Sequence, residues 1–159
     1  MRHLRDAGVS TLFGVPGGGS NLDLIDAAER IGLRFVLTAT ETAGAIAAIA
    51  QAEISGALGV CLVGLGPGTA SVVNGVACAY LDRAPLVVIG DAHPASAAGA
   101  EHQRIDHRAL FAPITKWQAT LVADGIEGVV AEAIRCALAF PRGPVYLECA
   151  SDVAAAQLS

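Results

Sequence analysis

Short β-type runs recur along this chain between longer helical ones, and none alternates strictly between apolar and polar residues. They are Thr11 to Val15, Arg34 to Leu37, Gly59 to Val63, Leu86 to Ile89 and Val145 to Leu147, with a further strand expected near Trp117 to Val122. A strand that is apolar on both faces must be covered on both. That requirement, together with strand-helix alternation, selects a parallel sheet over a hairpin sheet. Helical patterns fill the intervals at Leu22 to Ile31, Thr42 to Ser55, Thr69 to Leu81 and Ile126 to Phe140. The expected fold class is α/β, a three-layer doubly wound parallel sheet of about six strands with helices on both faces.

Length and composition suit one such domain. The 159 residues are 53% apolar and 16% charged, enough for a two-sided core, and no composition break or repeat suggests a second unit. Residues 1–159 are therefore read as a single domain. Only 4% are aromatic and the net charge is -5, with Lys and Arg scattered singly, so no nucleic-acid partner is expected. No stretch approaches the roughly 18 consecutive apolar residues of a membrane span. Cys61, Cys78, Cys136 and Cys149 lie far apart without CxxC spacing, and three of them sit in apolar runs. Buried free thiols, a reducing compartment and a cytoplasmic location are expected, the last also from the polar start Met1-Arg2-His3-Leu4-Arg5-Asp6.

In doubly wound sheets ligands bind beyond the carboxyl ends of the strands. Here those ends carry Val15-Pro16-Gly17-Gly18-Gly19, Thr38-Ala39-Thr40-Glu41, Gly64-Leu65-Gly66-Pro67-Gly68 and Gly90-Asp91-Ala92-His93. Glu41 is the conspicuous member, a carboxylate heading an alanine-rich apolar helix. Burial without a partner costs such a group several kcal/mol, so it pairs, takes up a proton or holds a ligand. The plain alternative is an acid at a helix start, favoured by about 0.3 to 1 kcal/mol through the helix dipole.

The glycine strings are read in the same way. Gly17, Gly18 and Gly19 allow a ligand to approach the main chain closely, although a plain turn would use them too. Gly64, Gly66 and Gly68 have the wrong spacing for a dinucleotide fingerprint, and Pro67 interrupts them; anion binding at the following helix start stays open. Asp91 lacks a second oxygen ligand nearby and is read as a loop acid, and His93, His102 and His107 have no metal-ligand spacing. No metal site is expected. Asp91 to Asp106 is read as a long loop or short irregular helix in which Gln103 and Asp106 either line a pocket or are solvated.

In order along the chain stand Phe13-Gly14-Val15-Pro16-Gly17-Gly18, Glu41 with its alanine-rich helix, Gly66-Pro67-Gly68 and Ala79-Tyr80-Leu81-Asp82-Arg83-Ala84-Pro85-Leu86. Gln103-Arg104-Ile105-Asp106, Pro113-Ile114-Thr115-Lys116-Trp117 and Pro141-Arg142-Gly143-Pro144-Val145-Tyr146-Leu147-Glu148 follow. This series resembles the N-terminal pyrimidine-binding domain of thiamine diphosphate-dependent enzymes, in the branch of acetolactate synthase, benzoylformate decarboxylase and benzaldehyde lyase. Thr40 and Thr42 stand where that family commonly has His before the glutamate and Gln or Asn after it, and Ser71 where it usually has Asn.

The resemblance implies a lyase or carboligase acting on 2-oxo acids, with thiamine diphosphate as cofactor. It makes Glu41 the catalytic acid that activates the aminopyrimidine for ylide formation. Gly17, Gly18, Gly19, Glu41, Gly66, Pro67 and Gly68 become cofactor-binding, and Gln103 becomes a substrate-pocket residue. Family members hold diphosphate and Mg2+ on a diphosphate-binding domain through a GDG string and a later Asn, and this chain has neither; Gly90-Asp91-Ala92 is a different string. Central and diphosphate-binding domains are thus expected in another chain or a missing C-terminal part, with homo-oligomerisation, and this chain alone is expected to be an inactive half-site. The alternative is a non-catalytic interaction or regulatory module on the same fold.

Overall fold

The computed structural model describes residues 1–94, 96–97 and 102–155. The strands are β1 (Thr11–Val15), β2 (Arg34–Leu37), β3 (Gly59–Val63), β4 (Leu86–Ala92), β5 (Trp117–Thr120) and β6 (Val145–Ala150). The helices are α1 (Arg2–Asp6), α2 (Ser20–Glu29), α3 (Glu41–Ser55), α4 (Pro67–Ser71), α5 (Val73–Asp82), α6 (His107–Phe111), α7 (Ile126–Leu138) and α8 (Ser151–Ala154), with a 3-10 turn at Ala112–Ile114. All strand pairs are parallel, in one six-stranded sheet of order β2-β1-β3-β4-β6-β5.

The central strands show why strict alternation is missing from the sequence. Every residue of β3 is buried, and successive side chains enter opposite cores. Val60 and Leu62 join Leu4, Leu12 and Leu147 under α1, α2 and α7; Cys61 and Val63 join Ala45, Ala48, Val76 and Ala79 under α3 and α5. Small residues let the second layer lie close. A β-carbon on Gly44 of α3 would stand 2.9 Å from the Gly14 Cα of β1, so backbone packs on backbone there. At the sheet edge β2 is largely exposed, matching its weaker apolar run.

Several boundaries differ from expectation. The single helix read over Thr69 to Leu81 is two, α4 and α5, meeting at Val72. Pro67 starts α4 early because its missing N–H is not needed in a first turn. Thr69 and Ser71 hydroxyls then donate to the carbonyls of Gly64 (2.6 Å) and Pro67 (2.9 Å), competing with the helical ladder where it breaks. Strand β4 runs on to Ala92 and β6 to Ala150, since Asp91 pairs with Cys149 and Ala92 with Ala150 in register. In the expected long loop, Asp106 caps the short helix α6 by accepting from the Ala109 amide at 2.9 Å. Residues 95 and 98–101 of that loop lie outside the described residues. Of the cysteines, only Cys61 and Cys149 are buried; Cys78 and Cys136 are half-buried at the margins of the two cores, and all four are free.

Candidate active site

The chain reverses its direction of travel across the sheet between β1 and β3, and a cleft of about 520 Å³ opens at the carboxyl ends of those strands. This is the switch point where open α/β sheets leave a crevice. Its walls are Val15 to Gly19 after β1, Glu41 at the start of α3, Gly64, Leu65 and Gly68 after β3, and Asp91 to Pro94 at the end of β4. Gln103 and Ser151 close it.

Glu41 is the first residue of α3, behind the N-cap Thr40, whose hydroxyl accepts from the Ala43 amide at 3.1 Å. Rather than fully buried, it is half-buried at the cleft wall, because the crevice is open on that side. A β-carbon on Gly68 would stand 3.4 Å from Glu41 Oε1. The Thr42 hydroxyl donates to the Ser71 carbonyl at 2.6 Å and ties the start of α3 to the end of α4. Beneath them the Cys61 thiol is pushed up to about 12, first by burial and then by the negative charge of Glu41, so it stays a neutral, inert floor.

The structure thus brings Gly17, Gly18, Gly19, Glu41, Gly68 and Gln103 to one cleft. Gly66 and Pro67 are not among its lining residues. Gly66 turns away with φ +59, and a β-carbon there would meet the Gln103 carbonyl oxygen at 2.3 Å, so this close crossing requires glycine. Pro67 serves instead as the first helical residue of α4.

Sequence reasoning missed the acid beneath the glycines. Asp91 is a strand residue of β4, 3% exposed, rather than a loop acid. Its Oδ1 accepts from Ser20 Oγ at 2.5 Å, Asn21 Nδ2 at 2.6 Å and the Asn21 amide at 3.1 Å, which fixes the start of α2. Its Oδ2 has no partner, and a β-carbon on Gly17 would come within 2.5 Å of it. Ser20-Asn21 directly after the glycines was the available signal, a helix-start pair that can donate to a strand-end carboxylate. His107 was missed as well: it is buried, and its Nε2 accepts from the Gly66 amide at 3.1 Å. Among the described residues no cluster of three His, Cys, Asp or Glu side chains is placed to hold a metal ion.

Residues 1–110 match the family described as thiamine pyrophosphate enzyme, N-terminal TPP binding domain. The chain belongs to this family. Within it, the chain is similar to acetolactate synthase of Arthrospira platensis, at 39% identity over 98% of this chain and 28% of that protein. It is also similar to a probable 2-ketoarginine decarboxylase of Pseudomonas aeruginosa, at 35% identity over 100% of this chain and 29% of the relative. Acetolactate synthase isozyme 3 large subunit of Escherichia coli is 33% identical over 96% of the chain and 27% of its own length. The chain therefore spans under a third of each of these relatives.

The cleft fits part of a thiamine pyrophosphate molecule. Gly17, Gly18, Gly19 and Gly68 line two of its walls, with open space beside Gly18, and Glu41 presents a carboxylate to the same cleft. No helix of the described residues is long and apolar enough to cross a membrane.

Proposed function

We propose that this chain is the pyrimidine-binding half of a thiamine diphosphate-dependent lyase or carboligase acting on 2-oxo acids. The observation that carries the reading is the Glu41 carboxylate set opposite Gly68 in the switch-point cleft. Gly68 has no side chain to cover the acid, so a flat heteroaromatic ring can reach it.

In this reading Glu41 would hydrogen-bond a ring nitrogen of the cofactor's aminopyrimidine and share a proton with it. The bound cofactor would cover this open wall of the cleft, while the start of α3 lends a favourable dipole. Gly17, Gly18 and Gly19 would admit the cofactor against the main chain, and Gln103 would present an amide to the substrate. When bound, thiamine diphosphate supplies the electron sink for breaking and making carbon-carbon bonds next to a carbonyl. Gly66 and Pro67 would bind the cofactor with Gly17, Gly18 and Gly19, through the turn that carries Gly68.

The rest of the enzyme is proposed with it. Residues 1–159 form one domain, and a central and a diphosphate-binding domain complete the protein from another chain or a C-terminal part. The diphosphate-binding domain holds Mg2+, the assembly is a cytoplasmic homo-oligomer, and the chain alone is inactive. Mixing the chain with a diphosphate-binding partner and adding thiamine diphosphate, Mg2+ and pyruvate tests this: decarboxylation is expected only when all components are present. Turnover that survives in Glu41→Gln would contradict the role given to Glu41.

A further inference from the structure

His107 is buried in the domain and takes no part in the chemistry assigned to the cleft, yet it touches the turn behind the proposed cofactor site. Its Nε2 lies 3.1 Å from the Gly66 amide nitrogen, and an amide can only donate, so that ring nitrogen must carry a lone pair. The neutral ring then has its proton on Nδ1, which faces Glu148 Oε1 at 3.5 Å. The other carboxylate oxygen of Glu148 accepts from the Thr120 hydroxyl at 3.0 Å. A chain of groups thus runs from β5 through β6 and the imidazole to the glycine turn.

The placement of the ring is set independently of that turn. Asp106 caps α6, and fully buried Phe111 at its far end packs on Tyr146 with ring centroids 4.5 Å apart. Tyr146 also meets the His107 ring edge-on, at 85°. Gly66, by contrast, sits at positive φ (φ +59, ψ -111) with its carbonyl accepting from the Ala70 amide at 2.9 Å, and its Cα face is blocked by the Gln103 carbonyl. Its amide is left pointing inward, to the imidazole.

We propose that His107, fixed as the Nδ1–H tautomer by accepting from the Gly66 amide and with Nδ1 facing Glu148, is a positioning residue that anchors that amide and thereby sets Gly68 against Glu41. The anchor stands on the geometry alone; its consequence for catalysis rests on the function proposed above. The same contact couples the two walls of the cleft, since Gln103 and His107 grip Gly66 from either side and Gly68 follows in the next turn.

Nuclear magnetic resonance of the isotope-labelled full chain tests this. Wild-type protein should show an unprotonated Nε2 and a protonated Nδ1 at His107. In His107→Leu the Gly66 amide should exchange with solvent about tenfold faster or more, as expected for a buried donor that has lost its acceptor. The Glu41 carboxyl carbon should also shift. His107→Gln, whose amide oxygen can accept, should return both signals toward wild type, which general loosening of the fold would not do. A proton on Nε2 in the wild type overturns the proposal even if the leucine variant does not fold. Unchanged Gly66 exchange in a folded leucine variant, or an unmoved Glu41 signal beside faster exchange, overturns it too. The predicted pattern would uphold the anchor even where reconstituted protein fails to bind thiamine diphosphate, a result that would sink the functional reading instead.

Discussion

Glu41 and Gly68 face each other so closely that a methyl group on the glycine would stand 3.4 Å from the carboxylate oxygen. That separation is ordinary contact, so Gly68→Ala should fold normally. Alanine also favours the helical conformation of this residue in α4 by up to ~1 kcal/mol. The methyl would nonetheless occupy the approach to the acid. We expect thermal stability equal to or slightly above wild type, together with thiamine diphosphate affinity at least ~10-fold weaker in the reconstituted enzyme, as for a loss of ~1.4 kcal/mol. Calorimetry of folding and of binding on the same variant measures both.

The second layer of the fold depends on α3 lying against β1. In Gly44→Ala the new carbon would meet Gly14 Cα at 2.9 Å and Gly14 N at 3.1 Å, which are backbone atoms unable to rotate away. Overpacking of this kind costs ~1–3 kcal/mol and outweighs the gain in helix propensity. Urea denaturation should show a lower midpoint with an unchanged slope.

Buried and exposed charges should respond differently to loss of a partner. Ser20→Ala removes a hydroxyl donor from the buried Asp91 carboxylate, for which ~1.5–3 kcal/mol is expected. The Arg30–Asp26 pair is also short, at 2.7 Å, but its side chains are 76% and 61% exposed, so Arg30→Ala should cost ~0.5 kcal/mol or less. Equal destabilisation of the two variants would contradict the role of Asp91 in fixing α2.

Stability should fall in alkali. Burial pushes the Cys61 thiol up to about 12 and the Cys149 thiol to about 11, against an ordinary value of 9.0. Both groups keep their proton in the folded state while the unfolded chain releases it. Their contribution is therefore intact below pH 9.0 and is lost progressively as pH rises toward 11 and 12. A stability profile from denaturation at stepped pH should slope downward across that window, and Cys61→Ala should flatten part of the slope.

How much of this was legible in the sequence depended on the range of the interactions involved. Strand β3 is legible because all five of its residues are buried and its own run declares that, and the acid at the head of α3 stands out against the alanines after it. The boundary inside Thr69 to Leu81 was not legible, since the Thr69 hydroxyl chooses a carbonyl in the preceding turn over solvent only once that turn is folded. Asp91 looked like a loop acid because its partners Ser20 and Asn21 lie 71 and 70 residues away. His107 was hidden for a similar reason: α6 has five residues, too few for periodicity, and the acceptor role appears only when Gly66 is brought 3.1 Å from the ring.

In the proposed function the Glu41 carboxyl moves a proton for the cofactor rather than merely starting a helix. The direct measurement is the rate at which the thiazolium carbon proton of thiamine diphosphate exchanges with deuterium in the reconstituted enzyme, compared between wild type, Glu41→Gln and Glu41→Asp. Glutamine keeps the shape and the helix start but cannot share the proton, so exchange should slow by ~100-fold or more while cofactor binding changes far less. Aspartate should retain an intermediate rate. Wild-type exchange in Glu41→Gln, with the cofactor bound, would contradict the account.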